Sequence, residues 1–292
     1  MSLGIVPPVR LGESALADGR KLGWAEWGPE DGVPVLLCPG AATSRWLGFG
    51  GDVVDELGVR LVSADRPGLG ASDPLPSRTL EDWPRDVEQL TKLRGLEGLA
   101  VVGFSAGAPF ALACAAAGIV TAASIVSGGD ELAHPEFAGD LPHEVRFLVD
   151  GVAADRESAE ASMRSFADPE VMTATVKAIS SRADRQIYAD PEFAPAFRRA
   201  LEEGFSQGHE GYARDTAIAL SRWPFDPAHI SVPVDLWYGM LDSSPVHSPD
   251  LGDFLSRRIP TATRHVVPDT GGALLWTHAA DILRALLGHT AA

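Results

Sequence analysis

Ser105 lies at the centre of Gly103-Phe104-Ser105-Ala106-Gly107, directly after the apolar run Leu99-Ala100-Val101-Val102. Glycines two before and two after a serine, with Ala-Pro-Phe-Ala-Leu-Ala-Cys-Ala following, describe a serine held on a sharp strand-to-helix turn. The flanking residues must be small because neighbouring backbone crowds such a turn. The N-terminus of the following helix offers free N–H groups and a positive dipole end, which favour a developing oxyanion. The chemistry this predicts is nucleophilic attack on a carbonyl, which calls for a base and an acid elsewhere in the chain.

Short apolar runs recur along the chain and must carry this turn. Val33-Pro34-Val35-Leu36-Leu37-Cys38, Arg60-Leu61-Val62-Ser63-Ala64, Leu99 to Val102, Ala122 to Ser127, Val234 to Tyr238 and Thr263 to Val267 read as strands. A helical pattern over Asp52 to Leu57 precedes the second of them. Strands alternating with helices predict an α/β fold with a mostly parallel sheet and helices on both faces, with ligands at the carboxyl ends of the strands. From Ser127 to Pro233 the alternation stops. Segments near 143–153, 157–167, 169–181, 191–205 and 210–223 read as helices, several opening on Asp-Pro. The expected organisation is a core of residues 1–129 and 230–292 interrupted by a helical cap over 130–229.

Three motifs then fall at the ends of successive strands. Pro39-Gly40-Ala41-Ala42-Thr43-Ser44-Arg45 follows the first, Asp65-Arg66-Pro67-Gly68-Leu69-Gly70-Ala71-Ser72-Asp73-Pro74 the second, and Gly103 to Gly107 the third. In this order and spacing the chain resembles the α/β-hydrolase superfamily, in its capped esterase-like, C–C-hydrolase-like and perhydrolase-like branch, over about residues 21–287. The resemblance implies an oxyanion hole from the backbone N–H groups of Ala41 and Ala106. It also makes Asp242, in Trp237-Tyr238-Gly239-Met240-Leu241-Asp242, the acid that orients a histidine. Asp65, Arg66 and Ser72 read as a hydrogen-bonded brace for the turn, and Asp130 as a backup acid in a solvated loop.

The histidine of that pattern is absent. Where the resemblance implies Pro-x-x-Gly-His, this chain reads Pro268-Asp269-Thr270-Gly271-Gly272, so the aligned residue is Gly272. The implied constellation is an incomplete triad. Of the eight histidines, His247, close to Asp242 in the same loop, is the best placed to substitute. His134, His143 and His209 lie in or beside the cap and could reach down over Ser105. His265 falls within the last strand, His278 a turn and a half into the next helix, and His229 and His289 at the periphery.

Composition narrows the partners. The 292 residues are 45% hydrophobic and 22% charged, ordinary for a globular chain able to bury a core. The net charge of −16 argues against nucleic acid and against anionic membrane surfaces. Cys38 and Cys114 both sit in apolar runs without metal-like spacing, and no metal, nucleotide or flavin motif is present, so no cofactor is expected. No basic segment followed by a long apolar one opens the chain, and the default location is cytoplasmic.

Three functions compete on these grounds. One is a serine hydrolase with a relocated base, acting on a small apolar ester, lactone or ketone. A second is a cyclase, lyase or isomerase that keeps only the oxyanion hole. A third is an inactive ligand-binding relative.

Overall fold

A computed structural model describes residues 2–290. Its core is one eight-stranded sheet: β1 (Arg10–Ala15), β2 (Lys21–Trp27), β3 (Val33–Cys38), β4 (Val59–Ala64), β5 (Ala100–Phe104), β6 (Ala123–Val126), β7 (Val234–Gly239) and β8 (Ala262–Val267), in the order β1-β2-β4-β3-β5-β6-β7-β8. β3 through β8 run parallel, while β2 pairs antiparallel with β4 and β1 antiparallel with β2. This is the expected α/β class. β5 lies at the centre with every residue buried, as strands covered on both faces must be.

The helices are α1 (Asp82–Arg94), α2 (Ala108–Ala116), α3 (His143–Ala154), α4 (Arg156–Arg164), α5 (Pro169–Ile179), α6 (Arg182–Tyr188), α7 (Phe193–Gly204), α8 (Glu210–Ala219), α9 (Asp253–Arg258), α10 (Leu274–Thr277) and α11 (Ala279–Thr290). α3 to α8 all fall between β6 and β7. Their starts follow local chemistry: Asp155 accepts from Ser158 N–H, and Asp168 accepts from the N–H groups of Glu170 and Val171 ahead of Pro169. α2, buried over almost its whole length, packs directly on β5 and β6 behind the serine turn.

Several expectations need correcting. Asp52 to Leu57 is a run of turns rather than a helix, because i+3 and i+4 bonds alternate and the left-handed Gly58 ends it within a turn and a half. β1 and β2 stand outside the strands expected from the apolar runs: β1 alternates half-buried and exposed residues at the sheet edge, and β2 carries the buried Glu26 among its apolar residues. Glu26 is tolerated inside because Arg10, Arg60 and Arg94 all donate to it. The helix expected after Gly272 breaks at His278 into α10 and α11.

Among the described residues no helix is long and apolar enough to cross a membrane. Both cysteines are buried and unpaired.

Candidate active site

β5 delivers Ser105 into a single turn of 3-10 helix that leads into α2. Ser105 has φ of +50°, a left-handed conformation costly for any residue but glycine. The glycines on either side explain how the turn closes. A Cβ on Gly103 would lie 2.7 Å from the Ala111 Cβ, and one on Gly107 would run into the Cys38 carbonyl. The strain holds the hydroxyl up at the carboxyl edge of the sheet, where β3, β5, β6 and β7 all end.

The hydroxyl has a partner. Ser105 Oγ lies 2.8 Å from His247 Nε2, and His247 Nδ1 lies 2.7 Å from Asp242 Oδ2. Three side chains from two segments thus form one hydrogen-bonded chain. His247 stands between the serine and the acid, while Gly272 borders the acid's carboxylate. Of the eight histidines it is His247, the substitute expected beside Asp242, whose ring lies at the serine.

The loop after β7 makes this possible. Asp242 N–H donates to Gly239 O (3.0 Å), Ser244 N–H to Asp242 Oδ1 (3.0 Å), and His247 N–H to Ser244 O (3.3 Å). Acid and imidazole therefore ride on consecutive turns of one short loop. Its far end is pinned to the loop after β6, because Ser248 N–H donates to Gly128 O at 3.0 Å. Burial opposes the charge on Asp242. The imidazole beside it and the Ser244 N–H outweigh that penalty and hold its carboxyl below the usual carboxylate range. The acid is therefore ionised at neutral pH and able to accept from Nδ1.

Gly272 has a different part in this arrangement. A Cβ there would lie 2.9 Å from Asp242 Oδ1 and 3.0 Å from Oδ2. The acid's carboxylate leans into the volume that a side chain would need. Gly272→Ala is accordingly expected to displace Asp242 and lower kcat by about 100-fold, the order of loss for a misplacement near 1 Å. Steady-state kinetics of the folded variant check this.

The loop after β3, which carries Ala41, is fixed from behind. Arg66, fully buried, donates to Pro39 O (2.7 Å), Gly40 O (3.1 Å) and Asp215 Oδ2 (2.5 Å) in α8. In a planar trans peptide the N–H points opposite to the C=O. Holding the Gly40 carbonyl on Arg66 therefore turns the Ala41 N–H the other way. Ala41, Ser105 and Ala106 line the same cavity. Asp65 accepts from the Arg45 and Ala71 N–H groups and the Arg45 guanidinium, while Ser72 Oγ donates to Asp65 O. The bracing role read for Asp65, Arg66 and Ser72 is what the structure shows.

The cavity holds about 310 Å³ and is mostly apolar, walled by Leu132, Leu148, Met172, Phe197 and Trp276 among others. Trp276 is wedged edge-on against Phe104 and Phe193, both at 4.7 Å between centroids. The size suits a small organic ligand.

The remaining histidines are occupied elsewhere. His265 and His289 each lie 3.0 Å from Asp235 on β7. His134 accepts from Glu136 N–H and packs on Phe254, and His278 contacts Thr277. His143 and His229 are exposed, and His209 packs beside Phe205.

Asp130 departs from expectation: it is 2% exposed rather than solvated. Burial pushes its carboxyl up to about 7, reinforced by Asp250 and opposed by the Glu131 N–H on Oδ1 (2.7 Å). A carboxyl that binds its proton more tightly when folded lends stability below its unfolded value near 3.8, and this is lost as pH rises to about 7. The loss amounts to roughly 1.4 kcal/mol per pH unit across that interval. Asp130→Asn is therefore expected to raise Tm relative to the parent more at pH 8 than at pH 5. Thermal unfolding at the two pH values measures the difference.

The site thus joins a strained serine on a strand-to-helix turn to an imidazole and a carboxylate at the carboxyl edge of a mostly parallel sheet. Residues 33–279 match the family model described as alpha/beta hydrolase fold, and the chain belongs to that family. Over 104 residues it is 30% identical to a non-heme chloroperoxidase of Streptomyces lividans, an alignment covering 33% of this chain and 36% of that one. Among solved structures it resembles an esterase from Rhodococcus sp. ECU1013 (19% identity, TM-score 0.67, 97% of this chain and 98% of the other). It also resembles the enol-lactonase of Burkholderia xenovorans LB400 (17%, 0.69, 96% and 100%) and a bromoperoxidase of Bacillus anthracis (18%, 0.69, 97% and 100%). At these identities the structural likeness speaks to the fold.

Proposed function

We propose that the chain is a serine hydrolase of small, largely apolar carboxylic esters or lactones, with Ser105 as nucleophile, His247 as base and Asp242 as its orienting acid. The observation that carries this is the continuous chain from Ser105 Oγ through His247 to Asp242, 2.8 and 2.7 Å. In this reading Ser105 Oγ attacks the substrate carbonyl and its proton passes to His247 Nε2. The Ala41 and Ala106 N–H groups receive the oxyanion. The protonated imidazole then gives its proton to the departing alkoxide, leaving an acyl-serine. Water, deprotonated by the same His247, releases the acid and restores the serine. The inserted helices α3 to α8 act as a cap that excludes bulk water and shapes the apolar pocket.

The non-hydrolytic and binding-only alternatives need no base beside Ser105. The imidazole hydrogen-bonded to the serine supports hydrolysis over them. A panel of p-nitrophenyl esters of increasing acyl length tests the reading. Turnover is expected to favour short to medium apolar acyl groups and to disappear in Ser105→Ala. Turnover that survives Ser105→Ala would contradict it.

A further inference from the structure

Asp184, in the first turn of α6, is buried and belongs neither to the serine–histidine–aspartate chain nor to the oxyanion loop. Its carboxylate reaches out of the inserted helices to the segment between β8 and α10. Oδ2 accepts the Gly272 N–H at 2.9 Å and Oδ1 the Ala273 N–H at 2.8 Å. Ser181 Oγ donates to Oδ2 at 2.7 Å, and the Asp184 N–H donates back to Ser181 Oγ at 3.1 Å, which locks the side chain in one pose. Gly271 leaves room for it, since a Cβ there would collide with the carboxylate.

The same backbone borders the catalytic acid. Gly272 has Asp184 bonded to its N–H and the Asp242 carboxylate where its Cβ would be, at 2.9 to 3.1 Å. Two more ties join the loops. Leu241 N–H donates to Thr270 O at 2.8 Å, and Ser243 Oγ donates to Ile179 O at the end of α5, also at 2.8 Å. Tyr188, one turn on from Asp184, lies in the field of both carboxylates: burial first, then Asp184 and Asp242, raise its hydroxyl above the ordinary phenol value.

We infer that Asp184 is a positioning residue for Asp242. By fixing the Gly272–Ala273 backbone, it holds the wall against which the acid's carboxylate packs. The inserted helices would then set the aim of the triad as well as the shape of the pocket. The inference rests on Ser105, His247 and Asp242 acting together as proposed above.

A double-mutant cycle tests it, with kcat and KM measured on p-nitrophenyl acetate for the parent, Asp184→Asn, Asp242→Asn and the double variant. Asp184→Asn is expected to lower kcat about 10- to 100-fold while KM changes less than about threefold. In the Asp242→Asn background the same substitution is expected to cost less than about twofold, because no ion pair remains to be aimed. Equal losses in both backgrounds, or a loss confined to KM, would overturn the inference while leaving the triad intact. Undiminished activity in Asp242→Asn alone would overturn the triad reading and this inference with it.

Ser181→Ala, which removes only the hydroxyl that locks Asp184, is the second variant should Asp184→Asn fail to fold. It is expected to show the same split with a smaller loss, and unchanged kcat in this variant would also overturn the inference. Leu90→Ala, a truncation on α1 in a buried cluster none of whose residues lines the cavity, is expected to lower Tm without lowering kcat. An equal fall in kcat there would show that general loosening, not Asp184, controls the triad.

Discussion

Replacing His247 by alanine is expected to lower kcat on an activated ester by about a million-fold, the order seen when the histidine of a serine triad is removed. The size follows from what is lost. A serine hydroxyl is a weak nucleophile at neutral pH unless a neighbouring base takes its proton. The imidazole proposed as that base sits 2.8 Å away and is backed by a buried carboxylate. No other imidazole is placed to stand in: His265 and His289 are held on Asp235, and His134 lies against Phe254. The oxyanion donors and pocket would remain, leaving a residue of roughly 10³- to 10⁴-fold over water. His247 side chains are partly buried in a hydrogen-bonded loop, so circular dichroism should accompany the kinetics to show that the variant is folded.

Asp242→Asn is expected to cost about 10⁴-fold in kcat with little change in the fold. Asparagine has nearly the same shape, but its NH₂ cannot accept from His247 Nδ1 as Oδ2 does at 2.7 Å. If the amide donates to Nδ1, the imidazole must carry its proton on Nε2. It would then donate to Ser105 instead of accepting from it, and the hydroxyl would lose its base while every heavy atom stayed in place. Asp242→Ala would add the disturbance of the loop that Ser244 N–H and Asp242 Oδ1 help to close. The asparagine variant is therefore the more diagnostic of the two, and a fall of less than tenfold would show that Asp242 does not orient the base.

Much of the site can be read from residue order because local geometry dictates it. The serine turn needs small residues at fixed offsets, and Gly103 and Gly107 meet α2 and β3 at distances no side chain would permit. Short apolar runs bounded by turn residues, such as Val33 to Cys38, read as strands, and this one is buried over its last four residues. Asp242 follows a strand end, where short loops leave little choice of position.

His247 is of another kind. Its role depends on how the loop after β7 curls, and that is decided by bonds between residues distant in sequence, such as Ser248 N–H to Gly128 O. The sequence marks His247 as near Asp242 but does not reveal that the turn through Ser244 and Pro245 swings the imidazole over Ser105. Asp184 left no comparable trace. α6 is one short, polar helix with no apolar period of its own, and its partners Gly272 and Ala273 contribute only backbone N–H groups. The one available signal was the pair Gly271-Gly272, two consecutive positions without side chains beside an expected catalytic loop. It reads as a missing histidine, whereas in the structure it is the space taken by two carboxylates.

The central claim is that Ser105 is activated by His247 although the usual position of the base is Gly272. It is tested most directly by covalent labelling with a fluorophosphonate, followed by intact-mass and peptide mass spectrometry of the parent and of His247→Ala. The predicted result is stoichiometric labelling of the parent at Ser105 near neutral pH, and labelling slowed by several orders of magnitude in His247→Ala. A parent that stays unlabelled, or a His247→Ala variant labelled at the parent's rate, would contradict the account.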